Sequence, residues 1–227
     1  MYSSVTVTAP RSPVEIPAFL DGFRAIHQAM RRDVSRLERL APSLGDRSRA
    51  RRLARWYGHF LTSIEHHHHR EDLVVWPLLI DRDPTFAGES STLHHDHEVL
   101  HEALYAVASA IGALAEGTVV DTAVLVAAAA HLRRHLNEHL DCEEAAAFPR
   151  IARTFTAEEY HELEEKLREG LPMSALAFEA PWVLDGLPPE EFAAIAADVP
   201  VVLRVLYYLA FRPRFRRLAA VLEEVAR

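Results

Sequence analysis

Apolar residues recur along this chain at three- and four-residue intervals, and alternation at every second position is nearly absent, so the pattern predicts helices and no strands. A first helix spans Ile16 to Leu40 and stops before Pro42. The second runs from Asp46, its N-cap, to Ile80, and the third from Ser90 or Ser91 to Glu116 and Gly117. A fourth opens at Thr118, with Asp121 at its third position, and reaches Arg153. The capping-box pattern Thr156-x-x-Glu159 then starts a fifth, shorter helix that ends at Gly170. Four long helices joined by short loops imply an all-α fold, an antiparallel up-down four-helix bundle with additional C-terminal helices.

The two ends read differently from the middle. Residues 1–13 carry two prolines and no periodicity, which predicts a loose tail. Residues 14–155 make up the bundle, and 156–227 a helical extension packed on it. Within the extension, prolines cluster at 172, 181, 188, 189 and 200, and an apolar stretch from Val199 to Phe211 leads into Arg212, Arg214, Arg216 and Arg217. Such a segment either lies on an anionic membrane surface or packs its apolar face on the bundle or in a homodimer interface. Pro200 and Pro213 bracket it as a compact helix, which favours packing over membrane contact.

Apolar residues make up 49% of the 227 positions and charged residues 26%, a globular composition. The net charge of −8 argues against a nucleic-acid partner. Cys142 is the only cysteine, which excludes an intrachain disulfide and any cysteine-based zinc or iron–sulfur site. The N-terminal residues lack the apolar core of a secretory signal, and no run of 18 apolar residues occurs, so a soluble cytoplasmic protein is expected. Histidine changes the picture. There are 14, and all but His161 lie between His27 and His139, including the run His66 to His69 inside a helical pattern.

Sliding the sequence against itself by 72 residues (67 to 139) exposes an internal repeat. His67, Glu71, Asp72, Trp76 and Pro77 fall on His139, Glu143, Glu144, Phe148 and Pro149. His59 falls on His131, and a small gap brings His27 onto His97. The repeat suggests two helix pairs related by an approximate two-fold axis. Residues four apart share a helix face. His67 with Glu71, His97 with His101, and His139 with Glu143 can therefore each direct two donors to one point, and His27 adds a donor from the first helix. Five imidazoles and two carboxylates exceed the needs of one first-row ion and fit two ions bridged by the carboxylates. Mixed imidazole and carboxylate donors suit iron, manganese or zinc.

The remaining candidates have blander readings. The run from His66 to His69 covers a full turn, so His66, His68 and His69 are expected to face solvent or to stand behind the ligands. His131, His135 and His139 form a ladder on one face, read as packing or an exposed ridge, with a proton relay as the sharper alternative. Tyr57 and Tyr105 are read as core residues, with extra ligation as the alternative, and Phe60, Ile64, Leu100, Leu104 and Leu136 as apolar lining of a ligand pocket.

With these residues in place the chain resembles the hemerythrin-like (HHE) cation-binding proteins over residues 15–152. The resemblance rests on His27, His67-x3-Glu71, His97-x3-His101 and His139-x3-Glu143, together with the aromatic–proline pairs Trp76-Pro77 and Phe148-Pro149. The segment Ala180-Pro181-Trp182-Val183-Leu184 is similar to a tail of actinobacterial members. The resemblance implies that His97, His101 and His139 hold one iron and His27 and His67 the other, with an open position for O2, H2O2 or NO. Glu71 and a carboxylate of the fourth helix would bridge the ions, alongside an oxo, hydroxo or water ligand. Hemerythrins themselves place that last carboxylate five residues after its histidine, at Glu144, and many HHE proteins four, at Glu143. The repeat favours Glu143, and His94 is an alternative to His101. The spare histidines near the ligands point towards peroxide- or NO-consuming redox activity. Reversible carriage of O2 or iron, sensing, or a metal-dependent regulatory module are the alternatives, and no catalytic residue is assigned.

Overall fold

The computed structural model describes residues 16–169, 171–197, 199 and 201–224; the loose tail expected at 1–13, and the expected boundary residues Gly170 and Pro200, lie outside the described residues. Among the described residues there is no strand. The bundle is built from α1 (Asp21–Leu40), α2 (Arg47–Arg70), α3 (Trp76–Arg82), α4 (Ala87–Glu116) and α5 (Ala123–Thr154). A π-helical turn at Glu71–Val75 joins α2 and α3 into one rod. The extension follows as α6 (Ala157–Arg168), α7 (Met173–Leu184), α8 (Pro189–Ala197), α9 (Val201–Leu206) and α10 (Arg212–Glu223), with a second π-helical turn at Tyr207–Phe211 between the last two.

Local chemistry explains the helix starts, including those that differ from expectation. The Asp46 side chain accepts a hydrogen bond from Arg49 N at 2.7 Å, and Thr156 with Glu159 forms the full capping box, both as the sequence predicts. The α4 helix begins at Ala87, not at Ser90 or Ser91. Its approach is set by a 3-10 turn at Pro84–Phe86, where Asp83 Oδ1 caps Thr85 N at 3.2 Å. Residues Thr118 to Thr122 form a loop, and α5 opens at Ala123. Gly117 ends α4 with φ of 76°, and the N–H groups of Gly117 and Thr118 both return to Ala113 O. The Asp121 carboxylate then accepts from Ala123 N at 2.9 Å, capping α5 from outside it.

Around the bundle, α2 lies along α4, α4 along α5 and α5 along α1, while α7 and α10 each touch both α1 and α2 and so cover that side. Phe178, Trp182, Phe215, Val221 and Leu222 of the extension belong to the same apolar cluster as Met30, Phe60 and Leu136 of the bundle. A buried polar tie reinforces this packing. Asp33, fully buried on α1, accepts from Trp182 Nε1 at 2.9 Å and pairs with Arg32 and Arg36, whose guanidinium groups also reach Asp185. Packing of the expected apolar stretch is uneven: Tyr207 is buried, but Val201, Val202, Val205, Tyr208 and Leu209 are exposed. Among the described residues one helical stretch, Pro84–Glu116, is long and apolar enough to cross a bilayer by length and composition. Its buried apolar residues lie in the bundle's apolar clusters, so it is a core helix here.

The interior is divided. A second apolar cluster, with Phe23, Val75, Trp76, Leu93, Ala147 and Phe148 among its members, occupies one end of the bundle, separate from the larger one. Every long rod crosses the gap between the two.

Candidate metal centre

At that crossing each rod carries residues with metal-ligating side chains. On α1, His27 follows Phe23 and precedes Met30; on the α2–α3 rod, His67, His68 and Glu71 fall between Ile64 and Val75. On α4, His97 lies between Leu93 and Leu100; on α5, His139 and Glu143 lie between Leu136 and Ala147. All of these donors are buried. A sheet of hydrophilic side chains thus cuts across an otherwise apolar interior.

Two carboxylates organise it. Glu71 sets Oε1 2.7 Å from His67 Nε2 and Oε2 3.6 Å from His97 Nε2. Glu143 sets Oε1 3.4 Å from His27 Nε2 and Oε2 3.2 Å from His139 Nε2. Each carboxylate therefore spans from the His27–His67 side to the His97–His139 side. Ligand atoms of His27, His67, Glu71 and Glu143 lie within 4.8 Å of one another, and so do those of His68, His97 and His139.

The next carboxylate along each copy of the repeat points outward and holds a histidine from another helix. Glu144 Oε1 accepts from His27 Nδ1 at 2.9 Å and from Arg31 Nη1 at 2.6 Å. Asp72 accepts from His97 Nδ1 at 3.0 and 3.1 Å, and His94 Nδ1 lies 3.0 Å from its Oδ2. With Nδ1–H donated outward, the Nε2 lone pairs of His27 and His97 face the centre, an assignment that follows from the partners. The sequence shows Asp72 and Glu144 as repeat partners, but only the fold reveals which imidazoles they hold.

Burial dominates the electrostatics of the centre. Burial lowers His67 and His68 well below the ordinary imidazole value, and neighbouring imidazoles add to the shift. His97 is lowered by burial too, partly offset by Asp72. Burial thus favours the neutral form of these rings, which has a lone pair to give. Burial, then Glu143, raises Glu71 well above the ordinary carboxyl value. At Glu143 burial also works upward, but His27 and His139 outweigh it and bring the carboxyl to about 2.

The residues fit a metal pair. Both oxygens of Glu71 and of Glu143, His97 Nε2, and both ring nitrogens of His139 and of His68 are buried without a hydrogen-bond partner. Folded proteins pair about 90% or more of such atoms. A concentration of unpaired carboxylate oxygens and imidazole nitrogens is what a cation relieves, and imidazole with carboxylate suits iron, manganese or zinc.

Of the seven residues singled out in the sequence, His27, His67, Glu71, His97, His139 and Glu143 converge. His101 is half-buried and lies outside both groups of donors. Glu143 is among the converging donors, and Glu144 is not. Of the two places expected for His68, facing solvent is ruled out: it is 1% exposed, because α2 and the π-helical turn after it bury a stripe wide enough to take Ser63, Ile64, His67, His68 and Glu71 together. His66 and His69 face away. His94 is an outer neighbour of Asp72, 62% exposed. His131 and His135 pair on the surface, 4.2 Å between ring centroids, beside an open groove along α5. Tyr57 is a core residue whose hydroxyl donates to Leu104 O at 2.9 Å, whereas Tyr105 is exposed and bonds Glu65 at 2.6 Å, against the expectation that it packs inside. Phe60, Ile64, Leu100, Leu104 and Leu136 all belong to the apolar cluster on one side of the centre.

A helical bundle that gathers buried imidazoles from four rods around two spanning carboxylates is, by class, a cation-binding protein. The profile of the Hemerythrin HHE cation binding domain matches residues 18–151, and the chain belongs to that family, whose members typically bind iron. No curated protein and no solved structure matches the chain.

Proposed function

We propose that the protein is a non-heme di-iron protein that takes dioxygen, hydrogen peroxide or nitric oxide at an open iron position and consumes peroxide or nitric oxide there. The carboxylate geometry carries the reading. Glu71 and Glu143 each offer one oxygen to either side of the centre, as two ions sharing two bridges require. Iron bound as a pair, with a water-derived bridge, supplies electron transfer to and from a small ligand.

The chain supplies the rest. The His27–His67 side gathers two imidazoles and the other side three, so the open position belongs with His27 and His67. Phe23 packs edge-on against both rings, with centroids 5.0 and 5.4 Å away, and Phe148 stacks on His27 at 5.9 Å. These rings exclude bulk water from that side. Turnover is favoured over reversible carriage because His101 Nε2 is buried and unpartnered beside the centre, where an imidazole can move a proton that an apolar wall cannot. A cytoplasmic location and small-molecule partners belong to the same proposal.

The test is iron analysis of the purified full chain, optical spectra, and peroxide and nitric oxide loss in iron- and zinc-loaded samples. Two irons per chain, with consumption that tracks iron content, are expected. A reversible dioxygen adduct without consumption would make the protein a carrier, and failure to bind iron would end the proposal.

A further inference from the structure

His68 is a buried imidazole that the family pattern does not use. It is 1% exposed, and neither ring nitrogen has a hydrogen-bond partner. Leaving both atoms of such a ring unpaired inside a protein is costly, and side chains in that position normally find a partner or a metal. The surroundings say which. The ring stacks on His97 with centroids 4.0 Å apart and planes 9° from parallel, and it meets His139 edge-on at 5.4 Å. A ligand atom of His68 lies within 4.8 Å of one from each of these two histidines, and all three residues are buried. His101, one turn beyond His97, is half-exposed, reaches the group through the His68 ring at 6.0 Å, and joins no converging set.

We propose that His68 is a ligand of the ion held by His97 and His139, in the place that the family resemblance gives to His101. Adjacent ring residues on one helix, His67 and His68, then serve the two ions separately. His67 turns to Glu71 at 2.7 Å and to His27 at 3.1 Å, and His68 turns to the His97–His139 pair. This is sterically consistent, since neighbours on an α-helix diverge by about 100° and can address two points about a bundle axis. It releases His101 from ligation, which suits the proton-moving role described above. The inference rests on the di-iron reading.

The experiment is metal analysis of the full chain after anaerobic loading with Fe(II) and desalting, followed by chelator competition. The chains compared are wild type, His68→Leu, His68→Gln and His101→Leu. Expected are two ions in wild type and in His101→Leu with the same retention. In both His68 variants the second ion should be lost or held more than about 100-fold more weakly, beyond the range for residues that only orient a ligand. Two tightly held ions in a folded His68 variant would overturn the assignment, as would loss of an ion from His101→Leu. If neither His68 variant yields a helical chain, the His101→Leu result decides alone. A wild-type chain that binds fewer than two ions overturns both this inference and the di-iron reading, whereas two ions in every chain overturns only this one.

Discussion

Replacing Asp72 by asparagine tests whether the outer carboxylates hold the histidines in working orientation. The Asp72 side chain is 16% exposed and accepts from His97 Nδ1 at 3.0 and 3.1 Å. The substitution preserves shape, removes the negative charge and replaces one acceptor with a donor. A hydrogen bond to a charged group contributes about 1.5–3 kcal/mol. The second partner, His94, is largely exposed and adds ~0–1 kcal/mol at most. Because Asp72 is not wholly sealed from water, the lower part of the range applies, about 1.5–2 kcal/mol. At about 1.4 kcal/mol per decade that weakens metal binding roughly 10- to 30-fold, inside the span known for residues behind metal-bound imidazoles. Chelator competition with Fe(II) or Zn(II) near neutral pH measures it, and a thermal melt of the metal-free chain serves as control. Unchanged affinity would refute the reasoning. So would a loss of metal-free stability as large as the loss of binding, because Asp72 would then be merely structural.

Three further outcomes are expected. Changing His67 and His139 together to alanine removes a donor from each side of the centre and should abolish binding of both ions; two ions retained on metal analysis would disprove the convergence. Asp33→Ala leaves the buried Trp182 Nε1 without its acceptor and removes one of the carboxylates that Arg32 and Arg36 share, which costs about 1–3 kcal/mol. Calorimetry should show a markedly lower Tm, and an unchanged one would make the α1–α7 tie decorative. Finally, the metal-free chain should lose stability as pH falls below 6.5. His67, His68 and His97 have lowered values in the folded state, so the unfolded chain takes up protons first and acid favours it. Glu71, raised in the folded state, acts in the opposite sense but is one group against three. Denaturant midpoints at pH 7.5 and 5.5 check this, and equal values would contradict it.

Much of this was legible because periodicity and repetition report on burial. The 72-residue repeat paired Glu71 with Glu143, and the fold places both carboxylates across the centre. The long helices follow from their apolar spacing. What escaped was set by tertiary contacts. His68 looks like an outward residue by its neighbours in sequence, and only the width of the buried stripe on α2 brings it inside. Two aligned aromatic–proline pairs gave no hint that Pro77 follows a π-helical turn while Pro149 sits within α-helix. The late start of α5 depends on Gly117 closing the helix before it, a signal weaker in sequence than the threonine and aspartate that follow.

The covering of α1 and α2 by distant residues has a practical outcome. A fragment trimmed to the matched span, 18–151, would forfeit Trp182 and Phe215, leaving a greasy trench along the two rods that present His27 and His67. The donors would all be present, but α1 and α2 would lose the helices that cover their outer side. The cation site thus leans on residues of α7 and α10 that lie far from it in sequence, and transplanting the centre into another scaffold means transplanting its lid as well.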